Sequence, residues 1–401
     1  MRISTAGMHR TSIASILEQQ SAMARSQQQV TSGKKFETAS EDPIGATRAA
    51  VLDRTVADNQ QFERNSNLIE SRLSNEEHAL SDSTLLLQRV RDLALQGANS
   101  TLGVEERRML AADIRQEKSA LVDIANRDDG NGEYLFAGTS GGTQPFAIGP
   151  AGVNYQGDST SRVVRISNSQ ALADSHTGSD VFMNLAQGNG TFVTSVAATN
   201  TGSATIDVGK IVDQTAWVAD NYTLQFTSAT DWQVLDSTLP TPVVVASGTG
   251  FASGQSIVFR GANVTLTGTP AAGDSFSVQT APKTDMFAML DQLANTLELG
   301  TTSPIERATF QNEIGKSIAN LDQGLSRTSN VRAEVGSRLA AIDQAGETRA
   351  SEAVDLQSLL SQLRDVDYAQ AISKLNQQYV GLQAAQQAYT KFAQLSLFNF
   401  L

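Results

Sequence analysis

Ser140 lies in the run Gly138-Thr139-Ser140-Gly141-Gly142, which fits the nucleophile-elbow pattern G-x-S-x-G. An elbow works only when a strand enters it and a helix leaves it, because the tight turn between them lifts the serine hydroxyl clear of the backbone. Tyr134-Leu135-Phe136-Ala137 is apolar enough to be the strand, but Thr143-Gln144-Pro145-Phe146 and Gly149-Pro150 follow, and they start no helix. His176, the histidine downstream, stands in a polar stretch. A chance match in a Gly/Ser loop is the expectation, with no catalytic residue here.

The second chemical candidate is Asp129-Gly130-Asn131-Gly132-Glu133. A calcium loop of the EF-hand kind needs glycine at its sixth position and a bidentate glutamate at its twelfth. Those positions hold Tyr134 and Ser140, so a helix-terminating turn is expected. His9, His78 and His176 are isolated, and none has a second histidine four residues on, as a zinc helix requires. No phosphate cradle of the P-loop type is present. There is no cysteine, which excludes thiolate catalysis, zinc–thiolate sites and disulfides. The acidic residues are scattered and read as solvated ion pairs on helix faces. The sequence therefore predicts no enzyme, no metal site and no cofactor.

Charge narrows the partners. The formal net charge is −12 and the pI about 4.8, so nucleic acid is not an expected ligand, because binding it needs a positive field to displace counterions. The basic doublets Lys34-Lys35 and Arg107-Arg108 read as solvated positions. No apolar run approaches the ~18 residues of a membrane span, and no insertion into a membrane is expected. The opening Met1-Arg2-Ile3-Ser4-Thr5 is followed by no apolar signal core, which predicts export, if any, without a cleaved secretory signal.

The 401 residues are too many for one core. Residues 1 to about 130 are rich in Ala, Gln, Leu, Arg and Glu; 138–282 turn to Gly, Thr, Ser and Val; from 283 the text is helical again. Asp42-Pro43 is a cap followed by proline at the first helical position, and predicts a helix running to Gly97. Ile69, Leu73, Leu80, Leu87, Val90 and Ala94 form its seam. A second helix is predicted near 104–127. Ser303-Pro304 with Glu306 is a capping box, and Ile314, Ile318, Leu321, Leu325, Val335, Leu339 and Ile342 form the seam that follows, broken by Thr328 and Arg332. These two seams are expected to pack within one subunit.

The ends differ. Ile13, Ile16, Leu17, Met23 and Val30 make one stripe; Tyr368, Ile372, Leu375, Tyr379, Leu382 and Tyr389 make another. Glutamines Gln20, Gln27 and Gln386 interrupt them. Helices so weakly stabilised form chiefly with help from partners, so an assembly interface is expected at Ile13, Ile16, Leu17, Met23, Val30, Ile372, Leu375, Tyr379, Leu382 and Tyr389. The last ten residues crowd Phe392, Leu395, Leu397, Phe398, Phe400 and Leu401, an apolar cluster that something must cover. The middle alternates Tyr222/Leu224/Phe226, Val264/Leu266 and Phe276/Val278 with polar residues, which predicts a small antiparallel sandwich or barrel.

Several runs carry a resemblance. Met1-Arg2-Ile3-Ser4-Thr5, Ser32-Gly33-Lys34-Lys35-Phe36 and Ser40-Glu41-Asp42-Pro43-Ile44-Gly45-Ala46 resemble the N-terminal region of flagellins. Glu334-Val335-Gly336-Ser337-Arg338-Leu339 and Asp365-Val366-Asp367-Tyr368-Ala369, with the tail to Leu401, resemble its C-terminal partner. Gly132-Glu133-Tyr134-Leu135-Phe136-Ala137-Gly138-Thr139, Pro145-Phe146, Val153-Asn154-Tyr155-Gln156-Gly157-Asp158 and Gly178-Ser179-Asp180-Val181-Phe182 are similar to the hook-associated protein 3 (FlgL) family within that superfamily. The likeness covers roughly 1–185 and 283–401; residues 186–282 match no pattern.

The resemblance implies an α+β multidomain fold: flagellin-like helical bundle or coiled-coil arms formed by both termini, with an inserted all-β domain. It divides the chain into a terminal coiled-coil domain (1–35 and 360–401, disordered in the free monomer), a helical rod domain (36–137 and 283–359) and an inserted β domain (138–282). It further implies a structural subunit of the bacterial flagellum, in a homo-oligomeric ring at the extracellular hook–filament junction. The implied neighbours are hook-associated protein 1 (FlgK) and flagellin. Export would follow the flagellar type III route, with the chaperone FlgN on Phe392, Leu395, Phe398 and Phe400. The alternative within the superfamily is flagellin, the filament subunit.

Overall fold

The computed structural model describes residues 5–394 except 151 and 239. Among these, seven helices run α1 (Thr5–Ser32), α2 (Pro43–Gly97), α3 (Val104–Ala125), α4 (Gly178–Phe182), α5 (Met286–Leu297), α6 (Pro304–Arg364) and α7 (Tyr368–Gln394). The chain forms two compact units, 1–64 with 344–401, and 65–343. Helices α2 and α6 contribute residues to both.

The caps read from the sequence are present. Asp42 Oδ1 accepts the Gly45 N–H at 2.9 Å, where Pro43 opens α2. The Ser303 hydroxyl accepts the Glu306 N–H at 3.1 Å, and Glu306 in return accepts the Ser303 N–H at 3.0 Å. This reciprocal pair satisfies two donors that a helix start otherwise leaves open.

In the first unit α1 packs along α7, and a small apolar cluster of Phe36, Ala49 and Leu360 joins α2 to α6. Gly33 ends α1 with φ +72°, a conformation glycine adopts without strain. A Cβ there would also stand 2.7 Å from the Tyr368 hydroxyl. The chain after it pairs with the α6–α7 link: Lys35 N–H to Arg364 O at 2.7 Å and Val366 N–H to Gly33 O at 2.8 Å. The Arg364 guanidinium grips the Asp53 carboxylate through two hydrogen bonds of 3.1 and 2.6 Å. That fork fixes the link on α2 geometrically more than energetically, because both groups are partly in water.

The second unit holds the rest of α2 and α6 with α3 and α5. The α2 seam residues Ile69, Leu73, Leu80, Leu87, Val90 and Ala94 are all buried. The stripe also includes Glu76 and Ser83, completing an unbroken three-four spacing through polar positions. On α6 the buried stripe is Ile314, Ser317, Leu321, Thr328, Val331, Val335 and Ile342. The expected seam is therefore corrected at three places: Ile318, Leu325 and Leu339 are only partly buried, one position off. Thr328 does not interrupt the seam but sits in it, its hydroxyl returned to Gly324 O at 2.9 Å. Its back-bond hides the polar atom, which is why a hydroxyl fits there.

All the strands of the described chain lie within residues 146–284. A five-stranded antiparallel sheet runs in the order 243–248, 232–236, 222–226, 275–280, 192–196. A second sheet runs 255–259, 262–267, 205–206, with 210–211 also on 262–267. Their apolar faces form one core that includes Leu224, Val234, Ile257, Val264, Leu266, Phe276 and Val278. The alternation seen in the sequence is the alternation of core and solvent faces.

Outside the sandwich core, Phe136, Phe146, Tyr155, Phe182 and Phe287 form an aromatic cluster, edge-on or tilted except for the stacked pair Phe182–Phe287, with centroids 5.1–6.0 Å apart. Gly178 must lack a side chain: a Cβ would lie 2.6 Å from the Phe146 ring. Four of those five rings come from the runs that carry the family resemblance. Tyr134–Ala137 forms no strand; Leu135, Phe136 and Ala137 are instead buried in a turn against this cluster.

Candidate assembly surface

Ser140 stands exposed in a turn whose carbonyl accepts the Thr143 N–H at 2.8 Å. It is not on a strand-to-helix elbow. His176 is far from isolated. It is buried, with Nδ1 2.8 Å from Glu76 Oε1 and Nε2 3.0 Å from Glu334 Oε2. Its backbone N–H also donates to Glu76, at 3.1 Å. Glu76 is completely buried, so the reading of the acidic residues as solvated is corrected. Arg107 is corrected likewise. It is buried over the Phe310 ring at 4.6 Å and donates to Leu299 O and Thr301. Burial lowers its pKa from the usual guanidinium value.

The turn at 128–134 does more than end a helix. Arg72, on α2 and almost wholly buried, reaches Asp129 at 3.2 Å, Glu133 at 3.0 Å and Tyr134 O at 2.9 Å. Asp174 lies 3.7 Å away and is held at 2.6 Å by Arg162. Two cations and three carboxylates thus fasten the turn to the helix below and to the segment leading into the sandwich. These contacts are structural: every carboxylate faces a guanidinium or backbone N–H.

The terminal helices are different. The side chains of α1 that turn inward are His9, Ser12, Ile16, Gln19, Met23, Ser26 and Val30; on α7 they are Ala371, Leu375, Gln378, Leu382, Ala385 and Tyr389. Both sets keep the three-four spacing of a coiled-coil seam. His9 meets Tyr389 edge-on at 5.7 Å. The seam is thin and polar, and within it Gln19 Oε1 and Gln378 Oε1 are buried without a hydrogen-bond partner. The ten residues expected at an interface split in two. Ile16, Met23, Val30, Leu375, Leu382 and Tyr389 lie along the seam and are half-buried. Ile13, Leu17, Ile372 and Tyr379 lie off it, 44%, 59%, 45% and 55% exposed. With Tyr368 and Val380, also more than half exposed, they give the pair an apolar outer face. Phe392, Leu395, Phe398 and Phe400 fall outside the described residues, Phe392 by its side chain alone.

Residues 3–141 match the family model of the bacterial flagellin N-terminal helical region. Flagellar hook-associated protein 3 of Escherichia coli is 25% identical over 400 residues, covering 100% of this chain and 99% of that protein. B-type flagellin of Pseudomonas aeruginosa is 32% identical, but over 35% of this chain and 30% of its own length. The crystal structure of Xanthomonas campestris FlgL is 33% identical and superposes with a TM-score of 0.71, across 77% of this chain and 99% of that one. The chain belongs to the FlgL family. Residues 195–280, which the sequence alone left unassigned, match the D2-like domain of flagellar hook-associated protein 1. As a FlgL-family protein the chain is a structural component of the flagellum, and among its described residues no helix is long and apolar enough to cross a membrane.

Proposed function

We propose that this chain forms the homo-oligomeric ring that joins the hook, through hook-associated protein 1 (FlgK), to the flagellin filament. The observation that carries the reading is the outer face of the terminal pair. Ile13, Leu17, Ile372 and Tyr379 are exposed on helices whose mutual seam is already occupied. A second copy, or a neighbour built on the same plan, covers that face. Its burial supplies what the polar seam lacks, at roughly 25 cal/mol per Å² of apolar surface.

In this reading residues 1–35 and 360–401 act as one assembly module, 36–137 and 283–359 as the rod, and 138–282 as the insert. Its helices α1 and α7 are loose in the free monomer and set when a neighbour docks, which is coupled folding and binding. The protein travels through the flagellar type III route, and the chaperone FlgN holds Phe392, Leu395, Phe398 and Phe400 until then. The absence of cysteine suits a chain exported unfolded, since no disulfide can cross-link it.

Deletion of the gene tests the reading. Intact hooks with flagellin shed into the medium support a junction ring. Loss of filament protein itself, or normal filaments, would refute it.

A further inference from the structure

The sequence holds two Asn-Gly dipeptides, Asn131-Gly132 and Asn189-Gly190. In such a pair the backbone nitrogen after the asparagine can attack its side-chain amide, because glycine adds no side chain and little torsional restriction. Asparagine is for this reason among the chemically labile residues of proteins. Whether the reaction occurs in a folded chain depends on whether the amide and the nitrogen are free to meet.

At Asn189 they are not. Its Oδ1 accepts the N–H groups of Thr191 and Phe192, each at 2.9 Å. Its Nδ2 donates to Val208 O at 3.3 Å and Gly209 O at 3.2 Å. The would-be nucleophile, the Gly190 nitrogen, donates to Gln187 O at 3.1 Å. The amide is held at both ends and the nitrogen is turned away.

At Asn131 none of this restraint exists. Asn131 and Gly132 are exposed, and among the described hydrogen bonds neither the Asn131 carboxamide nor the Gly132 N–H has a partner. Nothing stands within 4 Å of the space a Cβ on Gly132 would occupy. The neighbours are anchored while this pair is not: Asp129 Oδ1 accepts the Asn131 N–H at 2.9 Å and the Glu133 N–H at 3.2 Å.

We propose that Asn131 is a site of spontaneous deamidation and backbone isomerisation in the folded protein, and that Asn189 is protected by its hydrogen bonds. The Gly132 nitrogen gives its proton to solvent base and forms a bond to Asn131 Cγ. The Cγ–Nδ2 bond breaks, and ammonia leaves with a proton from water. Water then opens the five-membered imide at either carbonyl, giving aspartate or isoaspartate. Isoaspartate places an extra methylene in the backbone between Asp129 and Glu133. Those are the carboxylates that hold Arg72, so the change loosens the contact that fastens this turn to α2. On the junction role proposed above, the protein works where no replacement is synthesised in place, and the turn is an ageing point.

The test uses the full chain, incubated at mildly alkaline pH both folded and in urea, then digested and mapped by mass spectrometry with isoaspartyl methyltransferase labelling. In the folded protein Asn131 should convert about tenfold faster than Asn189 or more, the factor that ~1.4 kcal/mol of barrier represents. In urea the two should convert at similar rates. Equal rates in the folded protein, or an Asn131 that stays intact until urea is added, would overturn the proposal. Asn131→Gln should abolish labelling of the 128–134 peptide. Labelling that persists undiminished in that variant would trace to Asp129-Gly130 and also overturn it.

Discussion

Gln19 of α1 and Gln378 of α7 stand on the two stripes that face each other along the terminal pair, and the buried side-chain oxygen of each lacks a donor. Gln19 also approaches Gly381, one turn beyond Gln378, with its Nε2 3.9 Å from where a Cβ would be. A buried polar group left unsatisfied costs about 1–3 kcal/mol. Two of them in a seam with little apolar surface set the pair near the edge of stability.

The double substitution Gln19→Leu with Gln378→Leu should therefore strengthen the pair. Helicity of the purified monomer in far-ultraviolet circular dichroism should rise, by an amount matching added residues of α1 and α7. An unchanged spectrum would mean that the pair was already formed.

Replacing Phe392, Leu395, Phe398 and Phe400 with serine should weaken chaperone capture and junction assembly. The unfolding free energy of the monomer should stay within about 0.5 kcal/mol of the original, as for surface changes generally. Calorimetry beside a pull-down measures both. A large fall in stability would assign these residues to the monomer core.

Arg72→Met removes the cation between Asp129, Glu133 and Asp174. Breaking a buried pair from one side typically costs about 3–5 kcal/mol, because the opposite charges stay buried. Half-exposed Glu133 can turn to water, so the lower part of that range is expected from urea unfolding. A loss below about 0.5 kcal/mol, the scale of a surface change, would show that the cluster contributes little.

Tyr155 gives an alkaline signature. Burial pushes its phenol up to about 12, and its hydroxyl donates toward the Phe136 and Asp158 carbonyls at 3.0 and 2.7 Å. The folded state thus holds this proton more tightly than the unfolded chain, where tyrosine titrates near 10. Its contribution is complete below the unfolded value and is lost as pH rises through the folded one. Tyr155→Phe should flatten the fall in stability over that window, measured by urea titration at successive pH values. An identical slope in the variant would remove Tyr155 as its source.

Much of the helical architecture was legible because caps are local: Asp42, Pro43, Ser303 and Glu306 each act within four residues. So was the sandwich, whose inward positions alternate visibly. The seams were legible only in part. Ser317, Thr328, Glu76 and Ser83 occupy core positions, yet polar residues in a heptad read as breaks. Buried charge was not legible at all. Arg72 meets Asp129 across 57 residues, and His176 meets Glu76 across 100 and Glu334 across 158. No local pattern marks partners that only the fold brings together. The terminal stripes were legible as apolar residues, but not their division into a seam and an outer face. That division needs to know which side α7 takes.

Amide hydrogen exchange on residues 5–32 and 368–394, once in the free monomer and once in assembled rings, tests whether the terminal pair sets only on assembly. Both segments should show little protection in the monomer and strong protection after assembly, with residues 65–343 protected throughout. Strong protection of α1 and α7 in the free monomer would contradict it.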